Sequence, residues 1–269
     1  VIPPGNLEAS MNRRLPLSLL LAIVLSFSAM KAETQNTPDV ALLLNPEKAF
    51  LTSSATVANF VVSVDGKPLS YATPQILFNK AAGNADFIAG AWKDAAGRTI
   101  HQREVLIVKP HYGIVVDHLY GSQEHEVSSA VELTVLDIKS NGNIAFANLN
   151  NGENFFIQSL RPPEFPVSSL LAGQDGMRVL TQTCRLNLPG PFASVFFPGA
   201  QSSSALKIEF VKPANPMIVK CKVTFPDGRV DEVGIAWESR ELHLGGKAFK
   251  GWAAILRQGP GAAGDIEIN

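Results

Sequence analysis

The run from Val219 to Trp237, VKCKVTFPDGRVDEVGIAW, limits the fold more than any other feature of the chain. Val219, Cys221, Val223 and Phe225 alternate with Lys220, Lys222 and Thr224, so an extended strand there carries one apolar and one polar face. Pro226-Asp227-Gly228 supplies a pre-set φ and a glycine free to take positive φ, which together reverse the chain. A second apolar run follows, and the passage predicts an antiparallel hairpin. Runs of the same kind recur as NFVVSVDGKPLS, REVLIVKP, YGIVVDHLYG, AVELTVLDIKSNGN and ALKIEFVKP, with turn dipeptides at Asp65-Gly66, Asn141-Gly142 and Asn151-Gly152. No long amphipathic helix follows Ala32. Strands at this spacing without helices between them predict an all-β fold, a large antiparallel β-sandwich of about a dozen strands. It is expected over residues 40–258. Leu160 to Gly176, with Pro162, Pro163 and Pro166, reads as a long loop, because proline cannot sit in a central strand. The Gly-rich end, residues 259–269, reads as a flexible tail.

Composition supports a packed core and narrows the partners. The chain has 269 residues, 46% of them hydrophobic and 17% charged, with a formal net charge of -1. Its 23 Lys and Arg residues are scattered singly, so it lacks the basic cluster that a phosphate backbone demands, and nucleic acid is set aside. From Met11 the chain reads MNRRLPLSLLLAIVLSFSAMKAE, two arginines before an apolar run and then small residues, the layout of a secretory leader. The apolar run is shorter than the roughly 20 residues that span a bilayer. Residues 11–32 are therefore expected to be a signal peptide, cut before Ala29 or after Ala32, and residues 1–10 an over-extension upstream. The mature chain is expected to be exported, periplasmic or extracellular, with no stable membrane anchor. Export also permits a disulfide between the two cysteines, Cys184 and Cys221, which are otherwise small buried hydrophobes.

The nucleophile-elbow and phosphate-loop patterns are absent, as is a helical pair of zinc-binding histidines. What remains is HQREVLIVKPHYGIVVDHLYGSQEHEV, His101 to Val127, which holds four of the five histidines. Pro110 divides it into two strands, near 100–108 and 113–120. Alternation puts His101 and Arg103 on one face of the first strand, Gln102 and Glu104 on the other. On the second it separates Asp117 from His118, so these two cannot address one ligand. Asp117 with His101 or His125 is compatible with a zinc site. Histidines and charges on the wet face of a sheet are the commoner arrangement, and Asp117 capping a strand end or paired with Arg103 is also compatible. Tyr112, Tyr120, Trp92, Trp237 and Trp252 offer flat faces for sugars or, alternatively, for core packing.

The same stretch resembles the C-terminal β-sandwich region of heparinase II/III-like polysaccharide lyases, relatives of alginate lyases. In that family a His-x-Arg segment leads into a strand and a Lys-Pro-like turn. An aromatic follows, then a hydrophobic strand ending in Asp, a glycine and a histidine. Here these are His101, Arg103, Lys109, Pro110, Tyr112, Asp117, Gly121 and His125. ANFVVSVDGKPLS upstream, and DEVGIAWESRELHLGG with GWAAILRQ downstream, are similar to further strands of that region, so the resemblance covers about residues 45 to 258.

The resemblance implies an acidic polysaccharide as partner, with His101, Arg103, Tyr112, Asp117 and His125 as candidate substrate-binding residues. It implies β-elimination, in which a base removes a proton beside a neutralised uronate carboxylate. Most of the catalytic residues in that family sit on an N-terminal helical toroid. Here a leader stands where the toroid would precede the sandwich. The chain is therefore expected to carry no catalytic residue of its own and to bind or position the glycan. The alternatives are a fragment of a longer lyase or a split lyase component that works with a separate toroid chain, or a structural envelope module. Some family members hold a structural zinc; Asp86, His101 and Asp117 are the candidates here, but Ala58, Asn59 and Phe60 stand where one ligand histidine is expected. No cofactor is expected beyond that zinc.

Overall fold

The computed structural model describes residues 57–69, 73–149, 154–161, 168–172, 177–198 and 206–269. The leader expected at 11–32 and the over-extension at 1–10 lie outside the described residues. All the regular elements among those described are strands, fifteen in number, in two antiparallel sheets. None is a helix long and apolar enough to cross a membrane.

The first sheet contains β1 (Val57–Val64), β2 (Lys67–Pro68), β3 (Gln75–Ala82), β4 (Ala85–Lys93), β5 (Thr99–Val108) and β6 (Tyr112–Asn141). It continues with β7 (Ile144–Leu149), β8 (Asn154–Ser159), β9 (Ser168–Ala172) and β10 (Met177–Pro198). The second holds β11 (Lys207–Phe210), β12 (Ile218–Thr224), β13 (Val230–Leu244), β14 (Lys247–Gln258) and β15 (Ile266–Ile268). The predicted hairpin is β12–β13, with Thr224 opposite Val230 and with Val219, Cys221, Val223 and Phe225 all buried.

The main core lies between the sheets. Phe87, Leu106, Ile114, Val116 and Phe197 of the first meet Val219, Val223, Val233, Ile255 and Ile266 of the second. Burying each such side chain contributes about 1.5–3 kcal/mol, which the ordering of the chain offsets. A second core arises because the first sheet curls. β6 pairs with β10 and β7, β7 with β8, and β8 with β10, which closes a circuit of hydrogen bonds. Val131, Leu133, Phe155, Leu180 and Phe196 fill it.

Three expectations change. β6 is one strand of 30 residues, longer than the predicted 113–120 segment, and it absorbs the later AVELTVLDIKSN run. It bends without breaking. Gln123 takes φ 77°, and its partner strand slips register between Leu188 and Gly190. The expected loop at 160–176 contains β9, whose Leu171 pairs with Leu180. The expected flexible tail is also corrected: Ile266 and Ile268 alternate into the main core, and β15 pairs with β14. Gly259 to Gly264, GPGAAG, has the glycine spacing of a dinucleotide loop. Here it joins two antiparallel strands and opens no helix, so it lacks the helix N-terminus such a loop serves.

Candidate functional site

In the β5–β6 register Arg103 faces Asp117, Gln102 faces His118 and His101 faces Leu119. Directly opposed residues share a face of the sheet, so this register assembles two polar clusters, one on each side. Asp117 anchors the first. Its Oδ1 accepts from Arg103 Nε and from His101 Nε2, both at 2.6 Å. Trp92, opposite His101 on β4, stacks on the imidazole with ring centroids 4.7 Å apart and planes 9° from parallel. Burial outweighs the nearby carboxylate and holds the His101 pKa below its ordinary value, so the neutral ring donates its Nε2–H to Asp117. Burial opposes ionisation of Asp117 as well. Arg103, then His101, overcome it and hold the carboxyl below its usual range.

The second cluster faces the other sheet. His118 Nδ1 meets Glu104 Oε2 at 2.7 Å and His118 Nε2 meets the Met217 carbonyl at 3.0 Å. With Glu104 ionised both partners accept, and this arrangement favours a His118 imidazolium that donates from both ring nitrogens. Burial disfavours that charge, but Glu104 outweighs it and raises the His118 pKa. Gln102 donates to Glu104 Oε1 at 2.6 Å and also to the Trp237 carbonyl, while Tyr120 reaches Gln102 Oε1 at 3.4 Å. Gln102 and His118 thus stitch β5 and β6 to two backbone positions of the second sheet's part of the chain.

The predicted site residues therefore separate. His101, Arg103 and Asp117 come together, but they are 0–1% exposed, and a polymer cannot reach them in this conformation. Tyr112 is also buried and donates to Asp231 Oδ2 at 3.0 Å. Burial, then Asp231, pushes its pKa well above normal. His125 is partly exposed and makes its own ion pair with Asp65 at 2.7 Å, with its other nitrogen 2.8 Å from the Ser122 carbonyl.

The zinc candidates do not assemble. Asp86 lies opposite Ile107 and pairs with Lys109, whereas His101 lies opposite Trp92, about 20 Å along the strand. Asp117 already accepts two donors at one oxygen. Among the described residues no group of three His, Cys, Asp or Glu side chains is placed to hold a metal ion. The disulfide does not form either: Cys184 of β10 and Cys221 of β12 are free and buried in different apolar clusters. Burial, then Asp231 and Glu232, pushes the Cys221 thiol up to about 12.

A concavity lies elsewhere, between β10 at its register slip and the segment from β11 to β12. It measures about 310 Å³. Leu160, Ala193, Phe210 and Val219 give it an apolar floor, and Pro189, Pro191, Pro213 and Pro216 stiffen its walls. Arg161, Arg185 and Lys212 bring three cations to it and Glu124 one anion. Arg161 donates to the Arg185 carbonyl at 2.9 Å, and Arg185 pairs with Glu124 at 2.8 Å. Gly190 sits at the slip, where a Cβ would lie 2.7 Å from the Asn187 carbonyl oxygen. His125 stands opposite the cleft-lining Leu186, so one predicted contact residue is beside this cleft. Sequence reading missed the cleft because its cations come from three separate stretches, joined only by register.

No family model matches the chain, and no curated protein matches its sequence. Its fold is similar to that of heparan sulfate lyase HepC from Pedobacter heparinus, with a TM-score of 0.54 and 15% identity, over 69% of this chain and 31% of that one. It is likewise similar to heparinase III, the BT4657 gene product, with a TM-score of 0.52 and 14% identity, over 66% and 30%. The chain thus spans about 30% of the length of these structures. The likeness places its sandwich among folds that occur in polysaccharide lyases.

Proposed function

We propose that this chain is an exported sandwich of the polysaccharide-lyase type that holds an acidic polysaccharide and does not cleave it unaided. The observation that carries the reading is the cleft: three cationic side chains above an apolar, proline-walled floor. Guanidinium groups bind carboxylate and sulfate through paired N–H donors, and the ammonium of lysine adds an adaptable point charge. An apolar floor suits the C–H face of a pyranose ring. The fold likeness to heparan sulfate lyases supports the same ligand class. His101, Arg103, Tyr112 and Asp117 then hold the framework, and ligand contact passes to the cleft and the neighbouring His125.

Affinity electrophoresis tests this. Gels containing heparan sulfate or alginate at low salt should retard the purified chain, and a neutral glucan should not. Salt should abolish the retardation, because screening weakens exposed charge pairs. R161Q/K212Q should migrate freely. Failure of either polyanion to retain the wild-type chain overturns the binding reading. Absorbance of the unsaturated product, followed in the same mixtures, should stay flat; a rise with this chain alone overturns its second half. A split lyase is the runner-up, favoured by the much greater length of the matched structures. It predicts that absorbance rises once a separately expressed helical toroid is added.

A further inference from the structure

The cleft contains its own anion. Glu124 and Arg185 both line it, and Glu124 Oε1 sits 2.8 Å from an Arg185 terminal nitrogen. The pair is not a buried strut: the side chains are 48% and 77% exposed, so water surrounds the bond and the two can part at little cost. The register explains why they meet. Asn187 lies opposite Glu124 and Arg185 opposite Glu126, so Glu124 reaches Arg185 diagonally across the β6–β10 pair. Lys212 has no such partner: among the described residues it forms no ion pair. Arg161 is turned towards the Arg185 backbone, to whose carbonyl it donates.

We propose that Glu124 is a built-in competitor for Arg185, so that one acid group on a ligand, taken by Lys212, supplies most of the attraction and a second adds little. This rests on the cleft reading above. A ligand with one acid group that takes Arg185 merely replaces the Glu124 carboxylate. It then faces that released carboxylate at close range, and the exchange gains almost nothing. An acid group that takes Lys212 displaces no carboxylate, so the net attraction comes from there, and a second acid group that turns to Arg185 adds little. A neutral glycan cannot displace Glu124 at all. Glu124 thus limits what additional ligand charge can gain in the cleft, a case of specificity set by an unfavourable alternative.

A double-mutant cycle tests this with calorimetry on defined uronate oligosaccharides of one and of several acid groups. E124Q should bind the multiply charged ligand about two- to fivefold tighter than wild type, the range expected for freeing one exposed ion pair. It should tighten the singly charged ligand less, because Lys212 already takes its one acid group, and so widen the preference for the multiply charged one. R185Q should bind more weakly than wild type, because it leaves the Glu124 carboxylate bare in the cleft. E124Q/R185Q should recover most of that loss, so the two changes are not additive. E241Q makes the same change of net charge on the distant β13–β14 hairpin, where Glu241 pairs with His243, and should leave binding unaltered. Additive single changes, or an E124Q affinity no higher than that of wild type, overturn the competitor role while the cleft reading stands. A wild-type chain that binds neither ligand overturns the cleft reading, and this inference with it.

Discussion

Asp117 shows how one side chain can look like chemistry in a sequence and serve as scaffold in the fold. Its Oδ1 receives Arg103 and His101 together, inside the sheet and away from solvent. Replacing it by Asn keeps the shape but removes the anion that balances Arg103. Breaking one partner of a buried pair costs about 3–5 kcal/mol, so D117N should unfold at a clearly lower denaturant midpoint. An unchanged midpoint would mean the charge is compensated elsewhere. The strand period made part of this legible. It put His101 with Arg103 on one face of β5 and Gln102 with Glu104 on the other, and it separated Asp117 from His118. The pairing of Arg103 with Asp117 was among the readings that period left open. Alternation says nothing about depth, however. These faces read as wet or ligand-binding in the sequence, yet both are dry: His101, Arg103 and Asp117 are buried, and Gln102 and His118 meet the Trp237 and Met217 backbone from the second sheet's part of the chain.

At the scale of elements, the sequence marked its hairpins through turn residues and marked little else. Pro226-Asp227-Gly228 closes β12–β13 where predicted. Gln123 gave no sign that a polar, non-glycine residue would take a positive φ and let β6 continue. Nor did the glycines of 259–264 announce that Ile266 and Ile268 would return to the core. β15 is short, yet its Ile268 carbonyl oxygen lies 2.1 Å from where a Cβ on Gly251 would stand. β14 therefore accepts β15 only because residue 251 has no side chain. I268A should cost about 2–4 kcal/mol by the usual penalty for an emptied core position. G251V should displace β15 altogether and expose the amides of 266–268 to rapid hydrogen exchange. Retained protection there would show that β15 does not depend on this close approach.

The whole molecule is tied together by charge as well as by apolar packing, and this gives its stability a dependence on pH. Glu104 raises the pKa of His118 above its unfolded value of about 6.5. The stabilisation from that pair is fully present below the unfolded value and is lost as pH rises through the folded one. His101 has the opposite sign. Burial lowers its pKa, so its contribution is present above about 6.5 and is lost as pH falls towards its folded value. The thermal midpoint should therefore decline on both sides of a maximum. H118Q should flatten the alkaline decline and leave the acid one; an unaltered alkaline slope would remove His118 from this role.

The length of β6 has a further consequence, for the order in which the chain comes into being. This strand pairs with β1, β5, β7 and β10, and its longest partnership, with β10, joins segments that are far apart in the chain. Contacts of that range are slow to form. A nascent chain that ends before Met177 can build the β5–β6 hairpin, but it leaves most of β6 with one edge open to any neighbouring strand. Holding that edge apart until β10 has been made is the hazardous step in the life of this protein, a task suited to a chaperone.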